Sequence, residues 1–221
     1  MTERHPKQIL RELEQRARKR FGQHFLVQRD VVVRMVRGSG VQAGDSVVEI
    51  GPGLGILTRA LLEAGADLTA VELDRDLAQH LRETMPRVRL VEADALGVNW
   101  PELCPGGGWR VVANLPYNVG TPLVMTLLQY PRTFTCLSVM LQREVADRLM
   151  ALPGSKTYGA LSVRAQARAR IRPLVQVPPN AFHPPPKVRS SVIRLDLLPE
   201  PDFGPAGEAT FERVVRGAFS Q

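Results

Sequence analysis

Residues 45–65, DSVVEIGPGLGILTRALLEAG, constrain this chain more than any other stretch. An apolar run ends in Glu49, the glycines at 51, 53 and 55 follow, and apolar residues then recur at helical spacing up to Gly65. Glycine allows a backbone to approach a ligand closely and supplies the positive φ that a tight turn needs. A strand, a glycine loop and a helix in that order call for further strands beside the first. DLTAVELD reads as the second, followed by a helix from Asp74 to about Thr84. VRLVEADAL reads as a third strand and WRVVANLPY as a fourth, before TPLVMTLLQY starts a helix on Thr-Pro. FTCLSVMLQ is a fifth strand and REVADRLMAL a further helix. Strands alternating with helices of this length predict an α/β fold, a mostly parallel sheet with helices on both faces.

The flanks read differently. HPKQILRELEQRARKR spaces Ile9, Leu10, Leu13 and Ala17 as a basic amphipathic helix; a loop, FGQHFL, and a helix across 28–37 follow. VRAQARARIRPLVQVP and KVRSSVIRLDLL alternate apolar and polar residues, as a strand pair at the sheet edge would. PPNAFHPPPK between them is too rich in proline for regular structure. With 221 residues, 44% of them hydrophobic, the chain can bury one substantial core. No apolar stretch approaches the roughly 18–20 residues of a membrane span. The first twenty residues lack a signal peptide's apolar segment, so the expected start is native and the expected location cytoplasmic. Cys104 and Cys136 lack metal-type spacing and are expected to be buried packing residues.

Charge points to a polyanion. The net charge is +7, of which residues 1–20 carry +4 and residues 159–194 carry +7, leaving −4 for the remainder. Two basic segments around a mildly acidic middle suggest a nucleic-acid surface separate from a second site. An arginine-rich solvated surface would give the same total.

Ligands of such sheets bind beyond the carboxyl ends of the strands. The first strand delivers Glu49 and the loop of Gly51, Gly53 and Gly55, which dinucleotide enzymes and methyltransferases share. The second delivers Glu72, a carboxylate placed to accept from both ribose hydroxyls of an adenosyl cofactor. The third delivers Asp94, placed to accept from an adenine amino group. Alone, Glu72 or Asp94 could cap a helix; together, at successive strand ends, they favour an adenosyl cofactor. The fourth delivers Asn114-Leu115-Pro116-Tyr117. An adenine amino nitrogen is a poor nucleophile because its lone pair is delocalised into the ring. Acceptors at the Asn114 side chain and the Leu115 carbonyl would hold its hydrogens while that lone pair localises, and Pro116 would stiffen the turn. Tyr117 offers a flat surface for an extruded base, a contact of about 1–3 kcal/mol. No strong base is needed, because the proton leaves only from a cationic amine product.

Eight stretches in this order resemble the ribosomal RNA adenine dimethyltransferase family, and most closely its small-subunit branch: RKRFGQHFL, VVEIGPGLGILT, VELDRDLA, EADAL, NLPYN, MLQREVADRL, YGALSV and AFHPPPKVRSSV. They cover roughly residues 18 to 195. The resemblance implies a Rossmann-like, seven-stranded methyltransferase fold using S-adenosyl-L-methionine, with S-adenosylhomocysteine as product. It implies two methyl transfers to each of two adjacent adenosines near the 3′ end of small-subunit (16S) rRNA during subunit assembly, by a monomer. Carried onto this chain, cofactor contacts fall at His24, Leu26, Gly51, Glu72, Asp94 and Asn114, with Gly53 and Gly55 in the same loop. Position 24 is often Asn in the family, which leaves the detailed role of His24 open. The base platform falls on Tyr117, with Phe182 as a second aromatic face, although a phenylalanine there could equally plug the core. Arg16, Arg18, Lys19, Arg20, Lys187 and Arg189 are the expected RNA contacts. The expected division is a basic helix and cofactor loop at 1–27, a catalytic domain at 28–200, and the start of a truncated helical rRNA-binding domain at 201–221. The same pocket chemistry would serve a large-subunit rRNA adenosine. A non-catalytic ribosome-assembly factor would use the basic flanks without needing Asn114 or Tyr117. A nicotinamide dehydrogenase would account for Glu72 but leave the NLPY turn without purpose.

Overall fold

Neighbouring residues of one strand face opposite sides of a sheet, and here both sides are apolar. Val48, Val111 and Val139 belong to one buried cluster, while Val47, Val112 and Met140 belong to another on the opposite face. Strands buried on both faces need a layer of helices over each. The computed structural model, which describes residues 24–201 and 203–219, has that arrangement.

The described chain enters through a two-residue strand, β1 (Phe25–Leu26), and helix α1 (Arg29–Ser39). Then come β2 (Ser46–Ile50), α2 (Ile56–Glu63), β3 (Asp67–Glu72), α3 (Arg75–Thr84) and β4 (Arg89–Glu92). A short α4 (Trp100–Leu103) leads to β5 (Trp109–Asn114), α5 (Gly120–Leu127), β6 (Phe134–Gln142) and α6 (Arg143–Met150). The sheet closes with α7 (Ala160–Gln166), β7 (Ala169–Val177), the two-residue β8 (Phe182–His183) and β9 (Ser190–Leu197), and α8 (Gly207–Ala218) follows. The seven-stranded order is β4-β3-β2-β5-β6-β9-β7. The first five of these strands run parallel, and β9 and β7 are the antiparallel edge pair expected from their alternation. One consequence matters for the site: β9 begins, at Ser190 opposite Gln142, at the same edge where the parallel strands end.

Helices α1 and α2 cover one face through Val31, Met35, Leu57 and Leu61. Trp100 of α4, Leu123 and Leu127 of α5 and Leu149 of α6 cover the other. Asp74 caps α3, its carboxylate accepting from the amides of Asp76 and Leu77, which explains the sharp start of that helix. Cys104 and Cys136 are free and buried. Among the described residues no helix is long and apolar enough to cross a membrane.

The structure differs from the sequence-based expectation in two places. Residues 163–166, the first part of the stretch expected as a strand, instead close helix α7, and the strand begins only at Ala169; four residues of alternation are too few to separate the two periods. Docking fixes the choice: the Gln166 amide donates to the carbonyls of Leu149 and Ala151 at the end of α6, and Ser162 Oγ donates to that of Arg148. The proline-rich bridge is also partly regular. It contains a 3-10 turn (Pro179–Ala181) and β8, which pairs antiparallel with β1 so that Leu26 faces Phe182. This pairing ties residues 25–26 to the connection between β7 and β9.

Candidate functional site

Where β2, β3 and β5 end, their loops enclose a cavity of about 480 Å³. The glycine loop forms its floor. Gly53 has φ +57° and lies so close to the Phe25 ring that an added Cβ would sit 3.3 Å from it. At Gly55, φ is +78° and a Cβ would collide with Met85 Cε, so neither position accepts a side chain without displacing a neighbour. Glu72 ties the loop down. Its Oε2 accepts from the Gly53 amide at 3.1 Å and its Oε1 from the Asp74 amide at 3.0 Å. Each carboxylate oxygen can accept more than one hydrogen bond, so Glu72 can brace the loop and still receive two hydroxyls of a ligand. Burial raises its pKa above the usual carboxylate range, opposed by these amide bonds.

Glu49 is the residue the sequence reading passed over as a functional group. It lines the same cavity, is 1% exposed, and lies near Glu72. Thr58 sits beside it, but neither Glu49 Oε2 nor Thr58 Oγ completes a hydrogen bond. Burial, reinforced by the Glu72 charge, pushes its pKa up to about 8. The available signal was its place immediately before the glycine loop, inside a run otherwise made of apolar residues. Asp94 is exposed at the cavity rim, its Oδ1 accepting from the Leu96 amide at 3.0 Å. Four carboxyl groups, of Glu49, Glu72, Asp74 and Asp94, line the cavity, and no lysine or arginine of the described residues does.

The opposite wall is the NLPY turn. Leu115 is buried and its amide donates to the Met140 carbonyl, which fixes the turn to β6. Val119 donates back to the Pro116 carbonyl at 3.2 Å and closes it. Among the described residues the Asn114 side chain and the Leu115 carbonyl hold no hydrogen bond. Tyr117 is half-buried; its hydroxyl shares a 2.6 Å hydrogen bond with Ser190 Oγ. The His24 ring lies 5.8 Å from the Tyr117 ring at 35°, and His24 Nδ1 donates to the Pro184 carbonyl at 2.8 Å.

The cavity therefore gathers His24, Leu26, Gly51, Gly53, Glu72, Asp94, Asn114, Leu115, Pro116 and Tyr117 from the sequence-predicted set. Gly55 starts α2 just below it. Phe182 is not among them. It is 3% exposed and packs with Leu26, Val31 and Met35 beneath α1, because its pairing with β1 turns it into the core. The ring beside Tyr117 is that of His24 instead. Arg16, Arg18, Lys19 and Arg20 lie outside the described residues. Lys187 and Arg189 are exposed beside the start of β9 and carry no ion pair among the described residues. Four of the other five cations of the basic segment 159–194 are held in ion pairs within the fold. Arg168, 4% exposed, holds Glu208 and Glu212 of α8 and stacks over Phe203; Arg164 pairs with Glu212, and Arg172 and Arg194 pair with Asp196. Charge counted along the sequence thus overstated the polyanion surface.

Residues 14–221 match the profile of the ribosomal RNA adenine dimethylase family. Ribosomal RNA small subunit methyltransferase A of Bordetella pertussis is 53% identical over 207 residues, which are 93% of this chain and 77% of that protein. Among solved structures, the 23S rRNA methyltransferase ErmE superposes with a TM-score of 0.74 at 28% identity, over 87% of this chain and 77% of its own. A dimethyladenosine transferase from Plasmodium falciparum shares the fold, with a TM-score of 0.76 at 23% identity over 90% of this chain and 71% of its own. The matched span takes in the glycine loop, both buried carboxylates and the NLPY turn, and the chain belongs to the ribosomal RNA adenine dimethylase family.

Proposed function

We propose that this protein transfers methyl groups from S-adenosyl-L-methionine to the exocyclic N6 of two adjacent adenosines near the 3′ end of small-subunit (16S) rRNA, giving N6,N6-dimethyladenosine during cytoplasmic subunit assembly. The observation that carries the reading is the cavity's one-sided charge. Four carboxyl groups and, among the described residues, no lysine or arginine face a space of about 480 Å³. That suits a ligand bearing an ammonium and a sulfonium, and opposes the phosphates of a nicotinamide dinucleotide. When bound, S-adenosyl-L-methionine would supply an electrophilic methyl group. The backbone of Gly51 and Gly53 would lie against it, Glu72 would take its ribose hydroxyls and Asp94 its adenine amino group. Glu49, buried and short of a partner, would face its positive charge.

The chain's own contribution to the chemistry lies at the NLPY turn. The Asn114 side-chain oxygen and Leu115 carbonyl, unpartnered among the described residues, would accept the two hydrogens of the target amino group, which localises its lone pair. Tyr117 would hold the extruded base by stacking. Orientation and electrostatics of this kind stabilise the transition state without an added base. Lys187 and Arg189, exposed at the same edge, would meet the RNA backbone, together with Arg16, Arg18, Lys19 and Arg20. The segment from residue 201, which holds α8, we read as part of the RNA-binding surface.

The test is methyl transfer from labelled S-adenosyl-L-methionine to small subunits lacking dimethyladenosine and, separately, to free large-subunit rRNA. Label entering only the small subunit is expected. Label entering only large-subunit rRNA would move the protein to the other branch of the family, and binding of both partners without transfer would make it an assembly factor.

A further inference from the structure

Tyr117 must keep a fixed place on a segment that gives it little help. Pro116 and Asn118 on either side are exposed, and the residue belongs to no strand. Its hydroxyl reaches past β6 to Ser190, at the start of β9, the next strand over. Ser190 is one of the most firmly held points at this edge. It is fully buried, in register with Gln142 of β6 on one side and Val177 of β7 on the other. The preceding carbonyl, that of Arg189, accepts from the Arg143 amide at 2.9 Å. A residue flanked by two strands and sealed from water would ordinarily be β-branched and apolar, as Val192 and Ile193 further along β9 are; the equally buried Ser191 beside it is a serine too and takes a hydrogen bond from the Gln176 side-chain amide. Among the described residues the Ser190 hydroxyl has a single side-chain partner, the Tyr117 hydroxyl.

We infer that Ser190 is a positioning residue for methyl transfer: its hydroxyl fixes the Tyr117 ring relative to Asn114, and so sets where a stacked adenine presents its amino group. This rests on the reading of Tyr117 as the base platform. Without the hydrogen bond the ring keeps its stacking area but is free to tilt about its side-chain torsions. The His24 ring restrains it from one direction only. Acceptors that must meet an amino group at hydrogen-bond distance tolerate little displacement, and about 1 Å of misplacement can slow a reaction roughly a hundredfold. A hydroxyl that merely satisfied a half-buried phenol would affect stability and leave the rate of the chemical step alone.

The two roles separate in a double-mutant cycle. Single-turnover transfer to under-methylated small subunits is measured for Tyr117→Phe, Ser190→Ala and the double variant at saturating S-adenosyl-L-methionine and RNA, alongside both affinities and the thermal midpoint. Each single variant should slow transfer about tenfold, and the double variant no further, because both remove the same bond. Affinities should stay within about twofold of wild type, since the bulk of RNA binding lies in phosphate contacts elsewhere. A Ser190→Ala enzyme that transfers at the wild-type rate, or two losses that multiply in the double variant, would overturn the inference. If Ser190→Ala does not fold, Tyr117→Phe decides, because it deletes the same bond from the half-exposed side and keeps the ring. A wild-type rate for that variant overturns the inference, and a tenfold loss at unchanged RNA affinity supports it. Wild-type protein that transfers nothing to RNA would overturn the functional reading itself, and this inference with it.

Discussion

At the ends of β2 and β3, Glu72 has both oxygens bound to backbone amides and Glu49 is sealed from water. At the end of β5, on the opposite wall of the cavity, the Asn114 side chain and the Leu115 carbonyl hold no hydrogen bond among the described residues, and Pro116 is exposed. The first half is a finished receptacle, in which the protein has already fixed the groups that would meet a ligand. The second is left open, with acceptors that, on the proposed function, would find their donors in a substrate. Binding needs preorganised shape and charge, whereas catalysis needs interactions reserved for the transition state. The difference between the halves follows that division.

Substitutions in the two halves should therefore fail differently. The largest effect belongs to the open half. Asn114→Ala should lower single-turnover transfer by about a hundred- to a thousandfold, the range seen when one preorganised transition-state hydrogen bond is removed. RNA affinity, measured by filter binding, should remain nearly that of wild type. Next comes Glu72→Ala, which deletes two charge-strengthened acceptors and frees the Gly53 amide. Calorimetry should show S-adenosyl-L-methionine binding weakened about a hundredfold. A rate loss at unchanged cofactor affinity would erase the contrast between the halves. Outside the cavity, Lys187→Ala with Arg189→Ala should reduce the slope of log affinity against log salt by about 1.4 if both meet single-stranded phosphates. The same pair of changes on an RNA-free binding assay should leave cofactor affinity alone.

The smallest change sharpens the account of Glu49. Its carboxyl holds a proton up to about pH 8 when folded, against an ordinary value of 4.5. Between those values the folded state binds a proton that the unfolded chain has lost, so this group's contribution to stability falls as pH rises and levels off above about 8. Glu49→Gln, neutral and of the same shape, should remove that slope. Its thermal midpoint should match wild type near pH 5 and exceed it at pH 8, by an amount worth at least about 1 kcal/mol. Parallel profiles for the two proteins would mean that Glu49 is ionised in the free enzyme.

What could be read from the chain beforehand divides along the same physical line. The units β2–loop–α2 and β3–α3 were legible because their signals are local: apolar runs, glycines at the turn, an Asp cap, Gly65 after the helix. The positions of Glu72 and Asn114 followed from the ends of β3 and β5, since a strand end in a parallel sheet points to the ligand edge. The errors came from contacts between distant residues. The end of α7 at residues 163–166 was hidden because only docking on α6 distinguishes the two periods there. Phe182 looked available until β8 paired with β1 and turned it inward. Four arginines of the basic segment were counted toward RNA until Asp196, Glu208 and Glu212 were found beside them. The hydrogen bond between Tyr117 and Ser190, 73 positions apart, leaves no trace in either neighbourhood.

The measurement that tests the central claim most directly is nucleoside analysis by mass spectrometry of small-subunit rRNA treated with the wild-type protein and with Asn114→Ala. The expected result is N6,N6-dimethyladenosine from the wild type, at two residues per subunit, and essentially none from the variant. Methylation at any other atom, or dimethyladenosine formed equally well without the Asn114 side chain, would contradict the assignment of the open half of the cavity.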